Sequence, residues 1–389
     1  MKDALRGNWS YPTTIWAGPG RLAELPRAVT LANIRRALLV TDRGLAPTPL
    51  FERTRQLLPG AATFSDITGN PGARHVSAGL QVFAAHGCDG VVAIGGGSAL
   101  DVGKLIAFMA GQTRPLWDFE DVADWWTRAD ASVIAPIVAI PTTAGTGSEV
   151  GRAAVVVRED THQKKIIFHP RMMPSIVISD PELTVGLSPS ITAATGMDAL
   201  VHCFEAFCAP GFHPLADGVA LEGLRLIDTF LPRAYADGAD IEARANMLAA
   251  ASMGATAFQK GLGAVHAIAH PVGSWFNTHH GLTNAVLLPY VVAFNRVAIL
   301  EKAEVISRTL NLPQPGFAGV YAWILRLRAT LGIPGSLAQI GVDAHNAETI
   351  GREAANDPSA GGNPRPVNAR QLQDLFLAAV EGRLPAQLG

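Results

Sequence analysis

The chain has 389 residues, of which 48% are hydrophobic and 16% are charged. This length exceeds what one compact core supports, and the composition excludes a disordered chain, so we expect two domains. Lys and Arg total 31 against 33 for Asp and Glu, a formal net charge of -2. That balance excludes recognition of nucleic acid or of an anionic membrane by bulk charge.

The first ten residues lack the apolar core of a secretory signal, and no apolar run approaches the roughly 20 residues that span a bilayer. The three cysteines form no CxxC pair. We therefore expect a cytoplasmic protein with reduced thiols.

Short apolar runs alternate with helical patterns in the first half of the chain. Buried parallel strands are predicted at Ala37–Thr41, Gly90–Ile94, Ile137–Ile140 and Ile176–Ser179. Helices are predicted at His75–His86 and Asp101–Met109, and a hairpin at Ala153–Val157 and Lys164–Phe168. This alternation of strands and helices is typical of a doubly wound α/β sheet.

The pattern changes after Pro189. Long amphipathic segments predominate from Ile191 to about Val380, which predicts a helical domain. Helix ends are predicted at Pro214, Pro232, Gly238 and Pro271. We therefore predict an α/β domain over residues 1–187 and an all-helical domain over residues 188–389.

A glycine-rich turn, Gly95–Ser98, follows the second predicted strand and opens a helix. Bare backbone N–H groups at a helix N-terminus favour phosphate binding, although a tight turn that only needs positive φ is the alternative. The turn matches neither a P-loop nor GxGxxG, because Leu105 follows Lys104 and Leu100 stands at the third glycine. The loop Pro141–Glu149 ends another strand and offers Thr and Ser hydroxyls, unless it is only a polar turn. Two such loops at one sheet edge favour a dinucleotide.

Histidines are concentrated in the second half, at His202, His213, His266, His270, His279 and His280. Asp198 and His202 are four residues apart, as are His266 and His270, so each pair projects from one face of a helix. A carboxylate with several imidazoles suits Fe²⁺ or Zn²⁺, although a lone pair at this spacing is more often structural. A Lewis-acid metal and a hydride carrier together suit the interconversion of alcohols and carbonyls.

From about Tyr11 to Glu381, the chain resembles the iron-containing (group III) alcohol dehydrogenases. The motifs are GGGSALDVGK at 95–104, PTTAGTGSEV at 141–150, GMDALVHCFEAF at 196–207, and GLGAVHAIAHPVGSWFNTHHGLTNAVLLP at 261–289. The resemblance implies a Rossmann-like dinucleotide domain followed by an all-α metal-binding domain, the dehydroquinate synthase-like fold. It also implies an NAD(P)-dependent alcohol dehydrogenase or aldehyde reductase that acts on small molecules as a homodimer or larger homo-oligomer.

The resemblance also implies site residues, carried over by position. The metal ligands are Asp198, His202, His266 and His280, which would hold Fe²⁺, with Zn²⁺ as the alternative. His270 is the implied proton-relay group. The implied cofactor-binding residues are Asp42, Asn70, Gly96, Gly97, Ser98, Asp101, Thr142, Thr143, Ser148 and Lys164. We expect NAD rather than NADP, because a 2′-phosphate would meet the charge of Asp42.

Three alternatives stay open at this point. They are a dehydroquinate-synthase-like lyase that also uses NAD and a metal, a maleylacetate-reductase-like enzyme with an anionic substrate, and a nucleotide-binding scaffold without turnover. Lys260 and His279 lie close in sequence to His266 and His280, so they are predicted anchors for a substrate anion. The segment Phe258–Gly261 is one residue shorter than in some relatives of the family, which leaves the substrate open.

Overall fold

The computed structural model describes residues 7–9, 13–161 and 163–384, with the backbone alone at 7–9. Tyr11, where the resemblance begins, lies outside the described residues, as does most of the segment used to predict the lack of a secretory signal. Within the described ranges, no single helix is long and apolar enough to cross a membrane. A pair bent by 117°, His280–Ala298 with Leu300–Thr309, has that length and composition only when its two parts are combined.

Parallel strands form the centre of the first compact unit, which comprises the described residues up to 143 and residues 147–186. The strands are β1 (Gly7–Trp9), β2 (Thr14–Ala17), β3 (Ala37–Val40), β4 (Ala62–Phe64), β5 (Gly90–Gly95), β6 (Ile137–Pro141), β7 (Ala153–Arg158), β8 (Gln163–Phe168) and β9 (Ile176–Ser179). Seven of them form one sheet in the order β1-β2-β9-β6-β5-β3-β4, and only the β1–β2 pair is antiparallel. The predicted α/β fold is confirmed.

Helices α1 (Leu25–Leu31), α2 (Pro49–Leu57), α3 (Ala73–Ala85) and α4 (Gly97–Met109) connect these strands. The four predicted strands are present and end within one residue of their predicted bounds, because each is an apolar run buried throughout. The predicted hairpin is present as the antiparallel pair β7–β8. Strands β2 and β4 were missed because neither is a continuous apolar run. Strand β2 begins at the polar Thr14, and β4 is a three-residue edge strand in which only Phe64 is buried.

The second unit, residues 144–146 and the described residues from 187 onwards, is built from helices. They are α5 (Pro189–Cys208), α6 (Pro214–Ala236), α7 (Ile241–Ala257), α8 (Ala264–Phe276), α9 (His280–Asn295), α10 (Leu300–Thr309), α11 (Gly316–Thr330), α12 (Ala347–Ala355) and α13 (Ala369–Glu381). The all-helical character is as predicted. The predicted boundary between residues 187 and 188 stays a prediction.

Three of the four predicted helix ends are wrong. Pro214 is the first residue of α6, where its missing N–H is not needed. Pro232 lies inside α6 and Pro271 inside α8. Each interrupts one backbone hydrogen bond, but the apolar side chains around it are buried on the same helix, so packing outweighs the local cost. Only Gly238 lies between two helices.

Candidate metal centre and cofactor loops

Helix α5 supplies three polar side chains to one buried face. Asp198, His202 and Glu205 are separated by four and three residues, so they project from the same side of the helix, and all three are buried. Ser188 caps the helix by accepting a hydrogen bond from the backbone N–H of Ile191, at 3.2 Å. A long, capped and largely buried helix is thus the scaffold that takes these polar groups into the core.

Helices α8 and α9 bring the remaining candidate ligands to the same place. His266 and His270 are on α8, and His280 is the first residue of α9. A Cβ atom at Gly281 would lie 2.4 Å from the carbonyl oxygen of Ala194 on α5. Only glycine allows this close approach, which places His280 beside Asp198.

The predicted metal ligands lie together. The ligand atoms of Asp198, His202 and His266 are within 4.8 Å of one another. His280 Nε2 is 3.7 Å, and His266 Nε2 is 4.0 Å, from the same oxygen of Asp198. Two ligands that are each about 2.1 Å from one ion are at most about 4.2 Å apart. The oxygen–nitrogen distances of 3.7 and 4.0 Å are within this limit, and His202 belongs to the same buried cluster as Asp198 and His266. One carboxylate and three imidazoles are a ligand set that suits a divalent cation such as Fe²⁺ or Zn²⁺.

Glu205 orients His266 from the side opposite to this cluster. Its Oε2 accepts a hydrogen bond from His266 Nδ1 at 2.7 Å, and its Oε1 accepts one from the backbone N–H of Val265 at 2.8 Å. A Cβ atom at Gly263 would lie 2.8 Å from Oε1, so glycine makes room for the carboxylate at the start of α8. With its proton on Nδ1, His266 presents the Nε2 lone pair to the cluster, as a metal ligand must.

The stacked imidazoles of His202 and His266 have different pKa values, because their neighbours differ. Their ring centroids are 4.7 Å apart. Burial lowers the pKa of His202 to about 4, although Asp198 opposes this, so His202 is neutral and able to coordinate at neutral pH. Burial also lowers the pKa of His266, but the hydrogen bond and charge of Glu205 outweigh it and raise this pKa above its ordinary value.

His270 forms a buried pair with Asp357. Its Nδ1 is 2.8 Å from Asp357 Oδ2, and its ring is stacked on that of His280 with centroids 5.4 Å apart. Burial opposes ionisation of Asp357, but the charge and hydrogen bond of His270 and bonds from Ser359 hold the pKa of the carboxyl below its usual value. The pair fixes the orientation of the His270 ring.

The prediction that Lys260 anchors a substrate anion is wrong, whereas the same role for the exposed His279 stays a prediction. The Lys260 side chain is 2% exposed, and its Nζ is 2.5 Å from Asp217 Oδ1 and 3.3 Å from the carbonyl oxygen of Phe207. Its charge is therefore paired with the Asp217 carboxylate inside the domain. His279 is the N-cap of α9, and its Nδ1 accepts a hydrogen bond from the backbone N–H of Leu282 at 3.3 Å.

The glycine-rich turn and the start of the second predicted phosphate loop lie side by side in the first unit. Gly96 is the N-cap of α4, and Gly97 and Ser98 form its first turn. A Cβ atom at Gly96 would lie 3.4 Å from Thr143 Oγ1, and the backbone N–H of Thr142 donates to the carbonyl oxygen of Gly95 at 3.0 Å. This geometry, with bare backbone at a helix N-terminus and hydroxyls next to it, suits a phosphate.

Asp42 lies next to the glycine-rich turn. Its Oδ1 accepts hydrogen bonds from the backbone N–H groups of Gly44 at 2.8 Å and Leu45 at 3.0 Å. Its Oδ2 would be 3.1 Å from a Cβ atom at Gly95, which has a positive φ of 148°. Arg43, which could attract a 2′-phosphate, is paired with Asp66 at 2.7 Å. The Asp42 carboxylate therefore borders the turn.

Asp101 and Ser148, both predicted to contact the cofactor, contact each other. Asp101 accepts hydrogen bonds from Ser148 Oγ at 2.5 Å and from the backbone N–H of Val155 at 2.9 Å. The buried Lys104 Nζ is 3.1 Å from Asp101 and 3.0 Å from the carbonyl oxygen of Ser148. Both oxygens of Asp101 therefore have partners within the protein, and this network ties the second loop to α4.

Asn70 and Lys164 lie by the same hairpin. Asn70 has a positive φ of 50°, and the carbonyl oxygen of the following Pro71 accepts a hydrogen bond from the backbone N–H of Val157 at 2.8 Å. Val157 is paired with Lys164 across the hairpin. The two predicted cofactor-side residues are thus brought near one another, although they are far apart in sequence.

Sequence patterns missed three side chains of the metal centre, namely Glu205, Asn284 and Asp357. Glu205 and Asn284 lie one helical turn after His202 and His280, and that spacing was a usable signal. Asp357 lies in a loop with no periodicity, so its contact with His270 had no local signal.

Known proteins resemble this chain along most of its length. The family model for iron-containing alcohol dehydrogenase matches residues 12–181, and that for the C-terminal part of the same family matches residues 192–380. The chain is 37% identical over 378 residues to 4-hydroxybutyrate dehydrogenase of Cupriavidus necator, with 94% of this chain and 98% of that protein covered. It is 34% identical over 384 residues to NAD-dependent methanol dehydrogenase of Bacillus methanolicus, with 96% and 100% covered. The crystal structure of a 1,3-propanediol oxidoreductase matches with a TM-score of 0.88 and 34% identity, covering 93% of this chain and 96% of the other.

The chain belongs to the iron-containing alcohol dehydrogenase family. It is an oxidoreductase that acts on alcohol groups, with NAD and a divalent metal ion as cofactors. The predicted family and fold are confirmed. The lyase and scaffold alternatives have no support among these relatives, which are dehydrogenases and an oxidoreductase.

Proposed function

We propose that the chain is an Fe²⁺-dependent, NAD-preferring enzyme that interconverts small primary alcohols and aldehydes. The observation that carries this proposal is the buried cluster in which ligand atoms of Asp198, His202 and His266 lie within 4.8 Å of one another. Together with His280, these residues would hold the cation, with Zn²⁺ as the alternative to Fe²⁺. A bound divalent cation supplies Lewis-acid polarisation of an alcohol or carbonyl oxygen, and NAD supplies the hydride carrier.

The side chains around this cluster have separate tasks. Glu205 keeps the proton of His266 on Nδ1, so that Nε2 faces the cluster. Asp357 keeps a proton on Nδ1 of His270, whose Nε2 then takes a proton during alcohol oxidation and gives it back during aldehyde reduction. Burial of these groups excludes water, which strengthens every electrostatic interaction among them.

The cofactor would be bound by the loops of the first unit. The backbone of Gly96 and Gly97 with Ser98, Thr142 and Thr143 would bind phosphate and ribose oxygens. Asp42 would accept hydrogen bonds from the adenosine ribose hydroxyls and repel a 2′-phosphate. Asn70 and Lys164 complete this set at the hairpin, whereas Asp101 and Ser148 would act by holding the second loop in place.

A carboxylate-bearing substrate is the second candidate, and the similarity to 4-hydroxybutyrate dehydrogenase favours it. The buried, paired Lys260 does not supply the anchor for that carboxylate. A comparison of 4-hydroxybutyrate with 1-butanol, which has the same chain length and no charge, separates the two candidates by their kcat/KM values.

The test of the proposal is NADH formation by Fe²⁺-loaded protein with methanol, 1-butanol, 1,3-propanediol and 4-hydroxybutyrate. We expect turnover of at least one of these alcohols, loss of turnover after chelation, and its return on addition of Fe²⁺. His266→Ala should abolish metal retention and turnover while NADH binding persists, because the proposed cofactor-binding residues all belong to the other unit. Turnover by chelated, metal-free protein would contradict the proposal.

We also propose a cytoplasmic location and a homodimer or larger homo-oligomer. The thiols support the first proposal, since Cys88, Cys203 and Cys208 are all free. Sedimentation of the metal-loaded protein would give the mass of the assembly, and a monomer at micromolar concentration would contradict the second.

A further inference from the structure

The side chain of Asn284 lies inside the candidate metal centre. It is on α9, one helical turn after His280, and it is fully buried. Its Nδ2 is 2.7 Å from Asp198 Oδ1, 3.2 Å from His266 Nε2 and 3.2 Å from His280 Nε2. One amide nitrogen thus contacts three of the four proposed ligands.

These contacts account for all hydrogen bonds that the described residues make with the Asn284 side chain. Its Oδ1 is buried and has no hydrogen-bond partner. A buried asparagine that serves only the fold normally pairs both ends of its carboxamide, as Asn295 and Asn363 do by exchanging hydrogen bonds at 2.8 Å. The burial of the Asn284 amide is therefore explained by the ligand cluster and by nothing else among the described residues.

We propose that Asn284 is a positioning residue of the metal centre, which aligns the Asp198 carboxylate and thereby sets the affinity for the metal. This inference rests on the proposed metal site. Asp198 Oδ1 receives a charge-assisted hydrogen bond from Nδ2, which is stronger than a neutral one and fixes the rotation of the carboxylate. Partners that orient metal ligands in this way affect metal affinity nearly as much as the ligands' own geometry does.

Two opposing effects decide whether Asn284 strengthens or weakens metal binding. The hydrogen bond to Asp198 aligns a ligand and favours metal binding. The contacts with His266 and His280 use lone pairs that a metal needs, and so oppose it. Nδ2 has two protons, so one proton serves the charged carboxylate and the other is shared between two imidazole nitrogens at 3.2 Å. The charged bond is the stronger, and Asn284 therefore promotes metal binding on balance.

The test is the dissociation constant for Zn²⁺ and Co²⁺, measured by competition with a chromophoric chelator in the parent and in Asn284→Leu. Leucine has a similar volume and no polar atoms. We expect metal binding to weaken by about ten- to a hundredfold in the variant. Saturating metal should also raise the thermal midpoint of the variant less than that of the parent, because the stabilisation follows the affinity.

Asn295→Leu is the matched control on the same helix. It should lower the thermal midpoint, because Asn363 loses the two hydrogen bonds that it shares with Asn295, but should leave the metal dissociation constant unchanged. If Asn284→Leu does not fold, Asn284→Ala replaces it in the same assay. A dissociation constant equal to or smaller than that of the parent would overturn the inference. Failure of the parent to bind metal would instead overturn the proposed metal site itself.

Discussion

Replacing Glu205 by glutamine tests whether a carboxylate behind His266 prepares the metal site. The change keeps the shape of the side chain but leaves one acceptor oxygen and one amide group. If the oxygen keeps the backbone N–H of Val265, the amide faces His266 Nδ1, which is now 2.7 Å from a carboxylate oxygen. Two donors would then meet, and His266 would have to move its proton to Nε2, where it blocks coordination.

The expected loss of metal affinity follows from the hydrogen bond that Glu205 no longer makes with His266. A hydrogen bond to a charged group contributes about 1.5–3 kcal/mol. Loss of the partner behind a metal-binding histidine weakens metal affinity by about 10–100-fold, or about 1.4–2.7 kcal/mol. The two ranges agree, so we expect Glu205→Gln to bind Zn²⁺ or Co²⁺ about 10–100-fold more weakly in chelator competition.

Asp180→Asn provides the control. Asp180 is also a fully buried carboxylate, and it accepts backbone hydrogen bonds from Gly20, Leu22 and Glu182 in the other unit. Its replacement should lower stability towards urea without a change in metal affinity. Parent-like metal affinity in Glu205→Gln would refute the reasoning about the His266 tautomer.

Three further predictions concern the neighbouring groups. Asp357→Asn should lower kcat by about tenfold or more with unchanged metal content, because His270 loses its charged partner; an unchanged kcat would exclude this pair from proton transfer. Asp42→Asn keeps an acceptor for the loop but removes the charge, so the ratio of kcat/KM for NAD over NADP should fall about tenfold; a parent preference for NADP would contradict the role of Asp42. Lys260→Ala should lower the free energy of unfolding in urea by only about 1–2 kcal/mol, because Asp217 keeps Lys302 as a partner. The variant should not alter the preference between 4-hydroxybutyrate and 1-butanol. A selective loss of activity with the charged alcohol would reinstate Lys260 as an anchor.

The α/β unit was predictable because its central strands are continuous apolar runs. Strands β5 and β6 are buried on both faces, so every position along them is apolar or glycine up to their last residues. For the helical unit, the all-helical class was predictable, but the helix ends were not. Pro232 and Pro271 looked like helix ends by local rules, yet both helices continue because their flanking residues are buried.

The candidate ligands were predictable from spacing and from resemblance, but the long-range contacts that support them were not. Asp198 and His202 share a helix face, which a sequence shows directly. The partners of His266 and His270 are 61 and 87 residues away in sequence, and no local period reports such distances. Lys260 was misassigned for the same reason, because its partner Asp217 is 43 residues away.

The most direct test of the metal centre is anomalous diffraction at the iron absorption edge from crystals of Fe²⁺-loaded protein. The account predicts one strong anomalous peak for each chain, at about 2.0–2.2 Å from an oxygen of Asp198 and from a nitrogen of His202, His266 and His280. A peak at any other place, or none at this cluster in protein that turns over alcohols, would contradict it.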